Sequence, residues 1–129
     1  MPVGKTPVGG GVTIYHNPAC STSRKVLGLI RETGIEPEIV EYLKTPPDAA
    51  TLRGLAKRMG VPLAAILRRK APPYAGLDLG RARVGDSEIL AAIAAHPVLI
   101  ERPIVVTGRG ARLCRPPEKV LEILPSPGQ

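Results

Sequence analysis

The residues best suited to chemistry lie together in His16-Asn17-Pro18-Ala19-Cys20-Ser21-Thr22-Ser23-Arg24. Cys20 is the nucleophile among them, and a cysteine attacks as the thiolate, so what surrounds it must favour the anion. Ser21, Thr22 and Ser23 are residue types that open helices, which places Cys20 at or just before a helix N-terminus. Unpaired backbone N–H groups and the positive end of the helix dipole favour a thiolate there. Arg24, one turn on, and His16, when protonated, push the same way. Donors that suit a thiolate also suit an oxyanion, so the pattern is that of a reactive cysteine facing an anion. A cysteine read in isolation is more often a small buried hydrophobe. The strand–turn–helix setting and Arg24 decide against that reading here.

Specific elements must hold this stretch in place. Val12-Thr13-Ile14-Tyr15 alternates as a strand, and Val26, Leu27 and Ile30 recur at helical spacing up to Gly34. Glu38 to Leu43 reads as a second strand, closed by Pro46-Pro47. Asp48 caps a helix with Leu52, Leu55, Ala56 and Met59 on one face, ended by Gly60. Pro62 opens a further helix with Leu63, Ile66 and Leu67. The Pro- and Gly-rich stretch from Ala71 to Val84 reads as irregular or partly helical. Asp86 then caps a helix carrying Ile89, Leu90 and Ile93, which ends near His96-Pro97. Ile104–Thr107 and Ala111–Cys114, joined by Gly108-Arg109-Gly110, form a hairpin. Pro116-Pro117-Glu118 opens a last helix with Val120, Leu121 and Leu124 inward, stopped by Pro125.

Composition bounds the rest. The 129 residues allow one domain with a real core: 1–11 read as a flexible leader, 12–125 as the domain and 126–129 as a tail. With aromatic content of 2% and neither Phe nor Trp, the core is built from Leu, Ile, Val and Ala. A net charge of +7 points to anionic partners. The scarcity of aromatics argues against single-strand stacking platforms, so nucleic acid is not expected as a partner. No apolar run approaches the ~20 residues that span a bilayer, and the leader lacks the apolar core of a signal peptide, so a reducing cytoplasm is expected. Cys20 and Cys114 stand far apart in sequence, and with two histidines they make no metal-ligand spacing. Cys114 reads as a small buried residue, and Arg109 and Arg112 as solvated hairpin charges.

A βαβ unit followed by a helical insertion and a ββα unit, with a cysteine after the first strand, resembles the thioredoxin-like arrangement. That implies an α/β fold with a mixed four-stranded sheet. In that fold a cis-proline precedes the third strand, and Pro103, before Ile104, takes the position.

Four motifs then become specific: His16-x3-Cys20-x3-Arg24, Leu67-Arg68-Arg69-Lys70, Glu101-Arg102-Pro103-Ile104-Val105-Val106 and Cys114-Arg115-Pro116-Pro117. In this order they resemble the glutathione/glutaredoxin-coupled arsenate reductases from Val12 to about Leu124; Glu101-Arg102-Pro103 and Arg115-Pro116-Pro117-Glu118 also look like a shorter arsenate-reductase-like branch. The resemblance implies Cys20 as nucleophile and Arg68, Arg102 and Arg115 as the oxyanion-binding arginines. It implies His16, Ser23 and Arg24 as groups that tune the thiolate. It further implies attack of Cys20 on arsenate, reduction to arsenite with glutathione as co-substrate, and release of a Cys20–glutathione disulfide by glutaredoxin. No bound cofactor or metal is required, and a monomer is expected. Arginine forks match tetrahedral oxyanions in bidentate geometry and offset the charge that keeps a dianion from a thiolate.

Two other readings compete. One is a monothiol thiol–disulfide oxidoreductase acting on glutathionylated partners, since Ser23 stands where a dithiol enzyme carries its second cysteine. The other is a non-enzymatic regulator of RNA polymerase like the Spx proteins, whose Cys-x-x-Cys switch is absent here. A phosphatase-like arsenate reductase is disfavoured by the three residues between Cys20 and Arg24, where that class has five.

Overall fold

Four short strands and the helix after the first of them account for how Cys20 is presented. The computed structural model describes residues 11–81 and 83–124. The leader (beyond Gly11), the tail and the stop at Pro125 lie outside the described residues. The described residues divide into two compact units, one comprising residues 11–41 and 102–124, the other lying between Tyr42 and Glu101.

In the first unit the strands β1 (Thr13–His16), β2 (Glu38–Glu41), β3 (Ile104–Thr107) and β4 (Gly110–Leu113) form one sheet in the order β2-β1-β3-β4. β1 runs parallel to β2, with Ile14 opposite Ile39, and antiparallel to β3, with Ile14 opposite Val105. β3 and β4 pair antiparallel, with Val106 opposite Ala111. This mixed four-stranded sheet in an α/β chain is the thioredoxin-like fold that the residue order implied. Helix α1 (Ser21–Glu32) buries Ser23, Val26, Leu27 and Ile30, one face at helical spacing. Gly34 follows it at φ +88, in the left-handed region that favours glycine after a helix end. The core joins Val12, Ile14, Val26, Leu27 and Ile30 to Val105, Cys114, Val120, Ile123 and Leu124. Apart from Cys114, the side chains that form it are aliphatic.

The second unit carries α2 (Ala49–Met59), α3 (Pro72–Gly76) and α4 (Asp86–Ala95), with 3-10 turns at Leu63–Ile66 and Pro97–Leu99. Asp48 caps α2 by accepting from the Thr51 N–H at 2.8 Å, and Gly60 ends it in the left-handed conformation.

Several elements depart from the sequence expectation. β2 ends at Glu41 and not Leu43, because its pairing runs out where β1 turns away after His16; Tyr42 is buried and Leu43 exposed. The helix expected after Pro62 is one 3-10 turn, beyond which Leu67 extends to bridge Ile100. Gly85, not Asp86, is the N-cap of α4, and Asp86 lies in the first turn beside Arg53 at 3.7 Å. The last helix is a 3-10 segment, Pro117–Glu122. Its period of three turns Val120 and Ile123 inward and leaves Leu121 exposed, where a 3.6-residue period had implied burial.

Candidate active site

The turn that delivers Cys20 is built by Asn17. Its carbonyl accepts the Cys20 N–H at 3.0 Å and its side-chain Oδ1 accepts the Ala19 N–H at 3.0 Å, an Asx turn that carries the chain from β1 into α1. Cys20 thereby becomes the extended N-cap of α1, with its carbonyl accepting the Arg24 N–H at 3.0 Å. In the sequence the only signal for the role of Asn17 is the Asn-Pro dipeptide, a turn initiator.

Ser23 does something other than cap. Ser23 is fully buried, and its Oγ accepts the Asn17 N–H at 3.1 Å and lies 2.6 Å from His16 Nδ1. The hydroxyl thus locks the end of β1 to the first turn of α1. His16 is also buried, and loss of solvent pushes its imidazole below the ordinary histidine value. Glu41 opposes this, while the charges of Arg31 and Arg24 reinforce it. His16 is therefore neutral near pH 7 and does not supply the positive charge that its protonated form would bring. Arg24 is exposed, and its Nη1 donates to the Pro18 carbonyl at 2.8 Å, tying the first turn of α1 to the loop.

The charge beside Cys20 comes from the other end of the first unit. Arg102 enters β3 and Arg115 leaves β4, and in both cases the bond to the next residue, Pro103 or Pro116, is cis. Pro103 is the cis-proline expected from the fold, and Pro116 is a second one. Arg115 Nη1 donates to the Arg102 carbonyl at 3.1 Å and lies 4.0 Å from Cys20 Sγ. Burial by itself pushes the Cys20 thiol up. The Ser23 N–H, the Arg102 charge, the Arg115 guanidinium and the Thr22 N–H outweigh it, so the thiol titrates below its ordinary value. The result is a half-buried thiol at a helix N-terminus, with the Arg115 guanidinium and the Arg102 charge beside it favouring the anion.

Arg68 lies in the second unit, half-buried. Its backbone N–H donates to the Leu99 carbonyl at 2.7 Å and its carbonyl accepts from Ala71 at 3.1 Å. Cys114 is fully buried in the core of the first unit, its Sγ directed at the Arg112 carbonyl at 3.6 Å, and burial pushes its thiol up to about 12. Arg109 and Arg112 are not merely solvated. Arg109 Nη1 donates to the Leu124 carbonyl at 3.1 Å, and Arg112 Nε to Glu122 at 3.2 Å, tying the hairpin to the last 3-10 segment. Among the described residues no three His, Cys, Asp or Glu side chains group as metal ligands, and no helix is long and apolar enough to cross a membrane.

The sequence profile of the ArsC family matches residues 15–123. An arsenate reductase of Rhizobium meliloti is 53% identical over 114 residues, covering 88% of this chain and 81% of the relative. An arsenate reductase of Escherichia coli strain K12 is 51% identical over 114 residues, with the same shares covered. Among solved structures, the arsenate reductase from Vibrio cholerae superposes with a TM-score of 0.84 at 47% identity, covering 88% of this chain and 97% of that one.

Proposed function

The chain belongs to the ArsC family, and from that premise we propose that it is an oxidoreductase that reduces arsenate at Cys20, with glutathione as co-substrate and glutaredoxin as the partner that resets it. The observation that carries the reading is the Cys20 thiol at the N-terminus of α1 with Arg115 Nη1 at 4.0 Å and the Arg102 charge beside it. A dianion meets a thiolate only where its charge is offset, and two guanidiniums and the N–H groups of a helix end supply that offset.

Arsenate would bind by its oxygens to Arg102 and Arg115, and the Cys20 thiolate would attack arsenic and expel water. Donors fixed before the reaction stabilise the charge as it moves from sulfur to oxygen. Glutathione attacks next. An S–S bond to Cys20 forms, the S–As bond breaks with its electron pair left on arsenic, and arsenite departs. Two thiol groups have then given two electrons to arsenic, and the remaining Cys20–glutathione disulfide is exchanged by glutaredoxin. No step needs a metal. The family resemblance adds Arg68 to the oxyanion-binding set, and Arg68→Ala tests that assignment separately.

The test is arsenate-dependent oxidation of NADPH in the presence of glutathione, glutathione reductase and glutaredoxin. Activity absent in Cys20→Ser and lowered about 100-fold or more in Arg102→Ala, with circular dichroism unchanged, is the expected result. A folded wild type with a titratable low-pKa Cys20 and no arsenate turnover would overturn arsenate as the substrate.

A further inference from the structure

The donors around Cys20 suit a second reaction, in which the oxyanion is the leaving group and not the electrophile. A thiolate attacks a peroxide at one oxygen, the O–O bond breaks, and negative charge appears on the group that departs. With hydrogen peroxide that group is hydroxide, too small to span two guanidiniums. With a peroxide of an oxyacid it is a delocalised oxyanion, which an arginine fork holds in bidentate geometry. In this chain Arg115 reaches Cys20 Sγ with Nη1 at 4.0 Å, and the Arg102 charge acts on the same sulfur. The thiol is half-buried between the exposed Ala19 and Ser21, so a small molecule can approach it.

The same structure limits what happens afterwards. The position three residues on, where a second thiol could close a disulfide, is Ser23, fully buried and bonded to Asn17 and His16. The remaining cysteine, Cys114, has no exposure and sits among the core aliphatics. An oxidised Cys20 has no partner thiol within the first unit.

We propose that Cys20 is also peroxidatic toward peroxides whose leaving group is a small oxyanion, and that the sulfenic acid formed is resolved by a low-molecular-weight thiol and not within the chain. With peroxynitrous acid as the oxidant, the Cys20 thiolate takes the terminal oxygen and becomes the sulfenic acid, and nitrite leaves. A first glutathione then displaces water to give the Cys20–glutathione disulfide. A second glutathione, or glutaredoxin, regenerates the thiol. The oxidant is reduced by two electrons and two thiols are oxidised.

The experiment is stopped-flow decay of peroxynitrite with the full chain, with the rate constant divided by the thiolate fraction read from its absorbance. Per thiolate, wild type is expected to exceed glutathione by ~10-fold or more, and Arg115→Ala to lose most of that excess. The advantage over glutathione should shrink for hydrogen peroxide, and phosphate should slow the peroxynitrite reaction competitively. A per-thiolate rate under ~10-fold above that of glutathione, or one unchanged in Arg115→Ala, overturns the proposal. Trapping by dimedone at Cys20 without glutathione, and a mixed disulfide with it, is expected for the second half; a Cys20–Cys114 disulfide overturns that half. Arsenate turnover run on the same preparation keeps the two readings apart. Arsenate reduced without fast peroxynitrite decay removes only this inference, and the converse removes only arsenate as substrate.

Discussion

Arg115 Nη1 donates to the Arg102 carbonyl at 3.1 Å, and the same nitrogen lies 4.0 Å from Cys20 Sγ. Two arginines thirteen residues apart in sequence are thus linked, main chain to side chain, at the mouth of the nucleophile. One consequence is that Arg115→Lys should not substitute. A lysine keeps the charge but cannot hold carbonyl, sulfur and substrate oxygen from one planar fork. Arsenate kcat/KM is expected to fall about 10- to 100-fold in Arg115→Lys, and the thiolate absorbance of Cys20 to titrate at higher pH than in wild type.

The pH dependence follows from the lowered Cys20 pKa. Activity should rise as pH increases through the folded-state value, so the acid limb of the profile lies below that of an ordinary thiol near 9.0. Unfolding restores the ordinary value, so between the two values the unfolded chain binds more protons and stability increases with pH. That contribution is full above the unfolded-state pKa and is lost as pH falls through the folded one. Urea midpoints measured across this window should show the rise in wild type and a flatter line in Cys20→Ser.

Ser23→Ala removes the oxygen that takes the Asn17 N–H and meets His16 Nδ1. Each buried group left without a partner costs about 1–3 kcal/mol, so the urea midpoint should fall by a corresponding amount. His16 adds a second signature. Its folded pKa is lowered from 6.5, so the unfolded chain takes up a proton first as pH drops, and stability should decline below that value.

Thr107 is buried, and its Oγ1 donates to the Ile123 carbonyl at 2.6 Å and accepts the Arg109 N–H at 2.9 Å. Thr107→Val keeps the shape and removes both bonds, at a cost of about 1–3 kcal/mol for each buried polar group left unpaired. Thr107→Ser should recover most of it. Thermal unfolding of the two variants beside wild type checks this.

The two cysteines should separate by accessibility. A small disulfide reagent applied to the native protein is expected to modify Cys20 quickly and leave Cys114 untouched, because burial holds the latter thiol up to about 12. Denaturant should release the second thiol. Rapid native reaction at Cys114 would contradict its place in the core.

By itself the sequence determined what is local. Alternation and spacing placed β1 and α1, Asp48 and Gly60 bounded α2, and the turn after β1 set Cys20 at a helix start, because periodicity, caps and turns depend on neighbours within a few residues. The charge that local spacing puts near Cys20 is that of Arg24 and His16; in the fold Arg24 holds the Pro18 carbonyl, and His16 is buried beside Ser23 with its pKa lowered. The resemblance implied that Arg102 and Arg115 serve Cys20, but how Arg115 meets the sulfur and Arg102 the same site was set by the tertiary structure. Their proximity depends on β3 pairing with β1 and β4 with β3, long-range hydrogen bonding that leaves no periodic trace in the chain. The tertiary structure decided likewise that Arg109 and Arg112 hold the final segment, since the Leu124 carbonyl and the Glu122 carboxylate they bind come from residues brought near by packing of Val120 and Ile123 into the core.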